Sequence, residues 1–169
     1  MKLFVLMARL VLGGLFIGHG TQKLLGWFGG HGLEGTAGFF ESLGMRPGRQ
    51  HAIIAGAGET GGGALLAAGL CTPVGAAAIT GVMVTAIRTV HAPNGPWVSD
   101  GGWEYPAMVI AAVALITEVG PGAVSLDAAR GRERSGAGWA LAALVAGAGA
   151  STLLLRDWER PAPPAAEAG

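Results

Sequence analysis

Residues 3–25 form a largely apolar stretch that carries Arg9, His19 and Lys23 inside it. A central Arg or Lys in lipid costs about 2.5–3.5 kcal/mol on insertion scales. A helix that only anchored a protein would have no use for such groups. Glu59, Arg88 and Glu118 repeat the pattern in other apolar stretches. The expected object is an all-α, polytopic transmembrane helix bundle with a polar interior.

Composition agrees with this reading. Charged residues make up 13% of the 169-residue chain, about half the share usual in a soluble domain. The 31 glycines follow no Gly-X-Y period and sit among apolar residues with many alanines. Small residues of this kind let helix backbones approach closely in lipid. The balanced charge, with 11 basic and 11 acidic residues, contains no basic stripe for nucleic acid. Cys71 is the single cysteine, which excludes an intramolecular disulfide and a C-x-x-C redox pair. A redox role therefore has to use a bound cofactor or a partner protein.

A bilayer span needs about 20 mainly apolar residues. Five segments are candidates: 3–20, 52–70, 74–90, 105–124 and 138–155. Arg9 argues that the first is retained rather than cleaved as a signal sequence. Thr72-Pro73 marks a tight turn that makes the second and third segments an antiparallel hairpin. In the long first loop, residues 36–44 (TAGFFESLG) cluster Phe39, Phe40 and Leu43 as a short interfacial helix. The expected organisation is a four-helix unit over 1–127, a basic loop over 128–136, a fifth helix over 137–158 and a disordered tail over 159–169.

Depth sorts the interior polar residues into two groups. With a rise of 1.5 Å per residue, Arg9 and Glu118 lie ~6 and ~5 Å from the bilayer centre toward the N-terminal face. They are therefore expected to form a structural ion pair. His19 and Arg88 lie ~9 and ~8 Å toward the opposite face, with Glu59 near the centre. Lys23, His91 and Glu104 sit at the rim of that face. His19, Lys23, Glu59, Arg88, His91 and Glu104 are thus the candidate polar pocket, suited to a quinone-like or anionic ligand. Arg88 and His19 are the expected partners for Glu59.

Other patterns carry less. Gly56-Ala-Gly58-Glu-Thr-Gly61 matches G-x-G-x-x-G, but no βαβ unit surrounds it. Its glycines instead read as a thin packing surface, extended by Gly62 and Gly63. His19 and His91 lack the spacing of a metal set, and no metal site is expected. His31 and His51 lie in or beside a loop and suggest nothing in particular.

The run Arg9-xxx-Gly13-xx-Phe16-xx-His19-Gly20-xx-Lys23-Leu24 resembles the opening signature of the DoxX family of small bacterial membrane proteins. Phe39-Phe40, Glu59, Thr72-Pro73, Arg88 with His91, and Gly120-Pro121-Gly122 before Ser125-Leu126-Asp127 support it. The resemblance spans about residues 4–127. It implies a four-helix bundle, which the segment at 138–155 extends by one helix.

It also implies a redox-linked role as a membrane subunit of an oxidoreductase system of the thiosulfate:quinone or oxidative-stress type. The chain is expected to act as an oxidoreductase subunit rather than to catalyse by itself. Quinone is the implied cofactor, and no intrinsic one is evident. The expected partners are the lipid bilayer and a redox protein or a second copy of the chain. The expected location is the bacterial inner membrane, with the N-terminus cytoplasmic. Two other roles compete: a non-catalytic membrane anchor for a soluble redox enzyme, and a small-solute or proton pathway.

Overall fold

The computed structural model describes residues 2–161. The expected disordered tail falls mostly on 162–169, outside the described residues. Helix α1 runs over Lys2–Leu25 and stops at Gly26, whose φ of 72° ends the helical path. A short helix α2, Gly32–Ser42, fills the first loop. It starts four residues before the expected segment and ends within it. Helix α3 is Gly48–Ala68 and α4 is Thr72–Ala86, which continues through a π turn at Ile87–His91. Helix α5 is Glu104–Val119, α6 is the short Leu126–Ala129, and α7 is Ala137–Leu154. The described residues contain no strand.

Among the described residues, three helical segments are long and apolar enough to cross a membrane: Leu3–Leu25, Thr72–Asn94 and Ala137–Leu154. Helix α3 has the length, but Arg49, His51 and Glu59 dilute its apolar character. Helix α5 has 16 residues, about 24 Å of rise. It is shorter than the expected segment because Gly120, at φ 93°, and Pro121 end it.

Close approach between helices explains much of the glycine content. A Cβ on Gly13 of α1 would lie 2.6 Å from the Gly63 carbonyl oxygen of α3, and the reverse distance is also 2.6 Å. Gly20 is closed off in the same way by Gly56 and Thr60. Two glycine-lined helices therefore meet backbone to backbone, as small residues permit in lipid. Gly56, Gly62 and Gly63 all face neighbouring helices at close range, whereas Gly61 faces open space.

The fifth helix belongs to the bundle. Helix α7 packs along α4 and also touches α5. Gly147 of α7 lies so close to α4 that a Cβ would sit 2.6 Å from the Ala77 carbonyl oxygen. Ala143 of α7 joins Phe16, Leu66, Ile79, Met83, Val109 and Val113 in the apolar core.

After α7 the chain turns back. The Trp158 indole N–H donates to the Leu43 carbonyl at 2.8 Å, and Arg160 donates to the Arg88 carbonyl at 2.8 Å. Residues 159–161, expected to begin the tail, thus lie against Gly44 and the end of α4. The outer faces remain apolar, with Leu3, Phe4, Leu10, Leu15 and Leu153 exposed. An apolar exterior around buried charges is what a bilayer selects.

Candidate functional site

Two polar clusters occupy opposite ends of the bundle. At the N-terminal end Arg9 is 1% exposed. Its guanidinium donates to the Leu66 and Ala67 carbonyls at 3.0 and 2.8 Å, to Val124 at 3.0 Å, and to Pro121. Leu66 and Ala67 lie in the last turn of α3, where carbonyls run out of intrahelical partners; the Leu66 carbonyl also accepts from the Gly69 N–H at 3.1 Å, so Arg9 is its second donor. A cation also suits the negative end of a helix dipole. Asp127 supplies the counterpart at the start of α4. Its carboxylate accepts from the Cys71 and Thr72 backbone N–H groups at 3.0 and 3.3 Å. Arg9 and Asp127 thus hold the α3–α4 turn from both sides.

This corrects the expected Arg9–Glu118 pair. Glu118 is exposed, and the Arg9 donors are taken by backbone carbonyls. Depth was matched, but the two side chains do not face each other. Asp127, noted in the sequence only as part of a family motif, is the acidic member of this cluster.

At the opposite end lies a cavity of about 470 Å³ among α1, α2, α3, α4 and α7. Its walls are mainly apolar, with Phe16, Phe39, Phe40, Met45, Val82 and Met83 among them. Lys23, in the last turn of α1, places its ammonium 2.7 and 2.9 Å from the two carboxylate oxygens of Glu59 on α3. Glu59 is 3% exposed. Its partner is therefore Lys23, not the expected Arg88 or His19. Both members of the pair border the cavity.

His19 lines the cavity mouth, its ring edge-on to Phe16 at 6.3 Å between centroids. His91 also lines the cavity, on the π turn that closes α4, with Nδ1 2.6 Å from the Gly101 carbonyl oxygen. Single π turns recur at functional sites because they re-aim side chains out of helical register.

Two of the six expected pocket residues are not part of the lining. Arg88 turns toward α7, with Nη1 3.4 Å from Thr152 Oγ1. Glu104 accepts from the Val98 N–H at 2.7 Å and caps the loop before α5. Residues that sequence reasoning set aside do line the cavity. His51 does so, with a buried Nδ1 that has no hydrogen-bond partner among the described residues. Ser151 and Leu154 of α7 form part of the wall as well. Helical spacing from Glu59 could have flagged His51, eight residues earlier on the same face of α3.

A larger hollow of about 900 Å³ lies at the N-terminal end, between Val5, Val119 to Ala123, and Ala128, Ala129, Gly131, Glu133 and Ser135. Glu133 is its one charged lining residue. It is an open depression among loops without convergent polar groups. Among the described residues, no three His, Cys, Asp or Glu side chains gather as a metal-ligand set.

No curated protein and no solved structure matches this chain. A family model, described as DoxX, matches residues 4–92. The match covers α1 through the π turn of α4, hence the glycine-packed helix pair, the Lys23–Glu59 pair and His91. This chain, a membrane protein by its apolar helices, belongs to the DoxX family.

Proposed function

We propose that this chain is the membrane subunit of a redox-linked oxidoreductase system and that its cavity receives a quinone-type ring. In this reading all five long helices cross the bilayer, with the N-terminus on the cytoplasmic side. The observation that carries it is the Lys23–Glu59 pair. A purely structural ion pair is best enclosed by its neighbours, since burial of charge demands full partnering. This one borders an apolar cavity within the size range of small-molecule sites, about 300–1,000 Å³. Aromatic and methionine walls suit a flat ring, and His19 and His91 supply polar contacts at its edges. The chain holds one cysteine and no other evident electron store. The electrons are therefore exchanged with a partner enzyme, and this subunit holds the ring and handles its protons.

The test is a binding titration of the purified protein in lipid nanodiscs with a decyl-tailed ubiquinone. The second arm is Ala55→Phe, which fills the cavity from the α3 wall. Wild type is expected to bind saturably. The variant is expected to lose about tenfold or more in affinity, the equivalent of about 1.4 kcal/mol, with thermal stability unchanged. Absence of saturable binding, or a variant that binds like wild type, overturns the reading. A chain that binds no quinone yet copurifies stoichiometrically with a redox enzyme is an anchor instead.

A further inference from the structure

The hydrogen-bond directions around the cavity give it a polarity that volume alone does not. The Gly101 carbonyl oxygen can only accept, so Nδ1 of His91 carries the proton in their 2.6 Å contact. Nε2 is then the lone-pair acceptor whenever the ring is uncharged. His19 reaches the same state by a longer route. The Gln22 amide nitrogen donates to the Phe28 carbonyl at 3.3 Å, which turns the amide oxygen toward His19 Nδ1 at 3.2 Å. Nδ1 of His19 must donate there, so its Nε2 is an acceptor whenever the ring is uncharged.

The hydroxyls of the α4–α7 wall are committed in the same sense. Thr89 donates to the Thr85 carbonyl at 2.9 Å, and Thr85 donates to the Gly81 carbonyl at 2.8 Å. Each hydroxyl has one proton. The 2.9 Å contact between Thr85 and Ser151 is therefore donated by Ser151. All three side chains line the cavity, and they have only lone pairs left to offer. The donors are fewer. The Lys23 ammonium spends two of its three N–H donors on the oxygens of Glu59, and the Tyr105 hydroxyl stands at an exposed rim. His51 adds a buried Nδ1 without a hydrogen-bond partner among the described residues.

We propose that the cavity is built for a ligand that donates hydrogen bonds, the hydroquinone form of its ring rather than the dicarbonyl form. This rests on the reading of the cavity as a quinone-type site. A quinone presents carbonyl oxygens, which would face His91, His19 and the threonine lone pairs as acceptor against acceptor. A hydroquinone presents two O–H donors to the same groups. Leaving buried polar groups unpaired is what makes such sites discriminate.

The experiment compares decyl-ubiquinol and decyl-ubiquinone, the former kept reduced under anaerobic conditions, by titration of nanodisc-held protein. Wild type is expected to bind the quinol about tenfold more tightly, the value of one well-placed hydrogen bond. His91→Phe keeps a ring but removes the acceptor. It is expected to lower quinol affinity about tenfold and to leave quinone affinity within about twofold. Thr89→Val, which preserves shape, is expected to shift the preference in the same direction and guards against misfolding of the first variant. Equal or tighter quinone binding overturns the proposal, as does a loss at His91→Phe that is the same for both forms. If neither form binds, the quinone-type site itself fails. Binding without preference defeats only the inference about the reduced form.

Discussion

Replacing Arg9 by Ala is expected to destabilise the folded bundle by about 3–5 kcal/mol, the usual cost of breaking a buried charged cluster by removing one member. The guanidinium holds carbonyls of Leu66, Ala67, Pro121 and Val124 at once. Each buried carbonyl left unmet costs about 1–3 kcal/mol; the Leu66 carbonyl keeps the Gly69 N–H, and water entering from the helix ends relieves part of the rest. Arg9 also lies against Gly69, where a Cβ would stand 2.7 Å from its guanidinium carbon. A positive φ of 60° is required there too, to turn the chain from α3 toward α4. Loss of the guanidinium therefore loosens the turn that Asp127 grips from the other side. Arg9→Lys keeps the charge but not the planar fork and is expected to recover only part of the loss. Glu118→Ala is the control. It removes an exposed group and is expected to change stability by no more than about 0.5 kcal/mol. Reversible unfolding in mixed micelles measures all three. A wild-type stability for Arg9→Ala, or an equal loss in Glu118→Ala, contradicts the clamp.

The second large effect is expected at Lys23. Lys23→Met removes the cation bonded to Glu59, whose side chain is 4% exposed. The expected cost is about 3 kcal/mol, the lower end for a broken buried pair because Lys23 itself keeps some contact with solvent. Replacing both members, as Lys23→Met with Glu59→Met, is expected to recover most of that stability, since no unpaired charge remains. The double variant thus separates fold from function. It is expected to unfold near the wild-type midpoint and still to bind the ring ligand about tenfold more weakly, the worth of about one polar contact. The same micelle unfolding assay, paired with the nanodisc titration, reads both quantities. If the double variant is as unstable as the single one, the pair is not an isolated electrostatic unit.

The sequence carried the height of each polar residue well and its azimuth poorly. Counting 1.5 Å per residue put His19, Lys23, Glu59 and His91 at one end, and all four line one cavity. The same count matched Arg9 to Glu118, which stand at similar height on sides that do not meet. Arg9 is satisfied by backbone carbonyls, and every residue carries one, so no side-chain pattern announces that partner. Lys23, placed at the rim of the expected pocket, reaches Glu59 because Gly20 and Gly56 bring α1 and α3 together. Arg88 lay at a suitable depth but turns to Thr152 on α7, a helix whose position in the bundle was not legible from the chain. That helix also explains why Ser151 and Leu154 were missed as lining residues. The glycine-rich second segment was legible for a simple physical reason. Small residues on an apolar helix have few uses other than close packing.

The central claim is that the cavity between Glu59 and His91 holds the ring ligand. Photolabelling with an azido-quinone, followed by mass spectrometry of the labelled peptides, tests it most directly. Labels are expected within residues 54–59 of α3 and 82–91 of α4, and an excess of unlabelled quinol should suppress them. Labelling confined to the outward apolar face of α1, at Phe4, Leu10 and Leu15, and unaffected by competitor, would contradict the account.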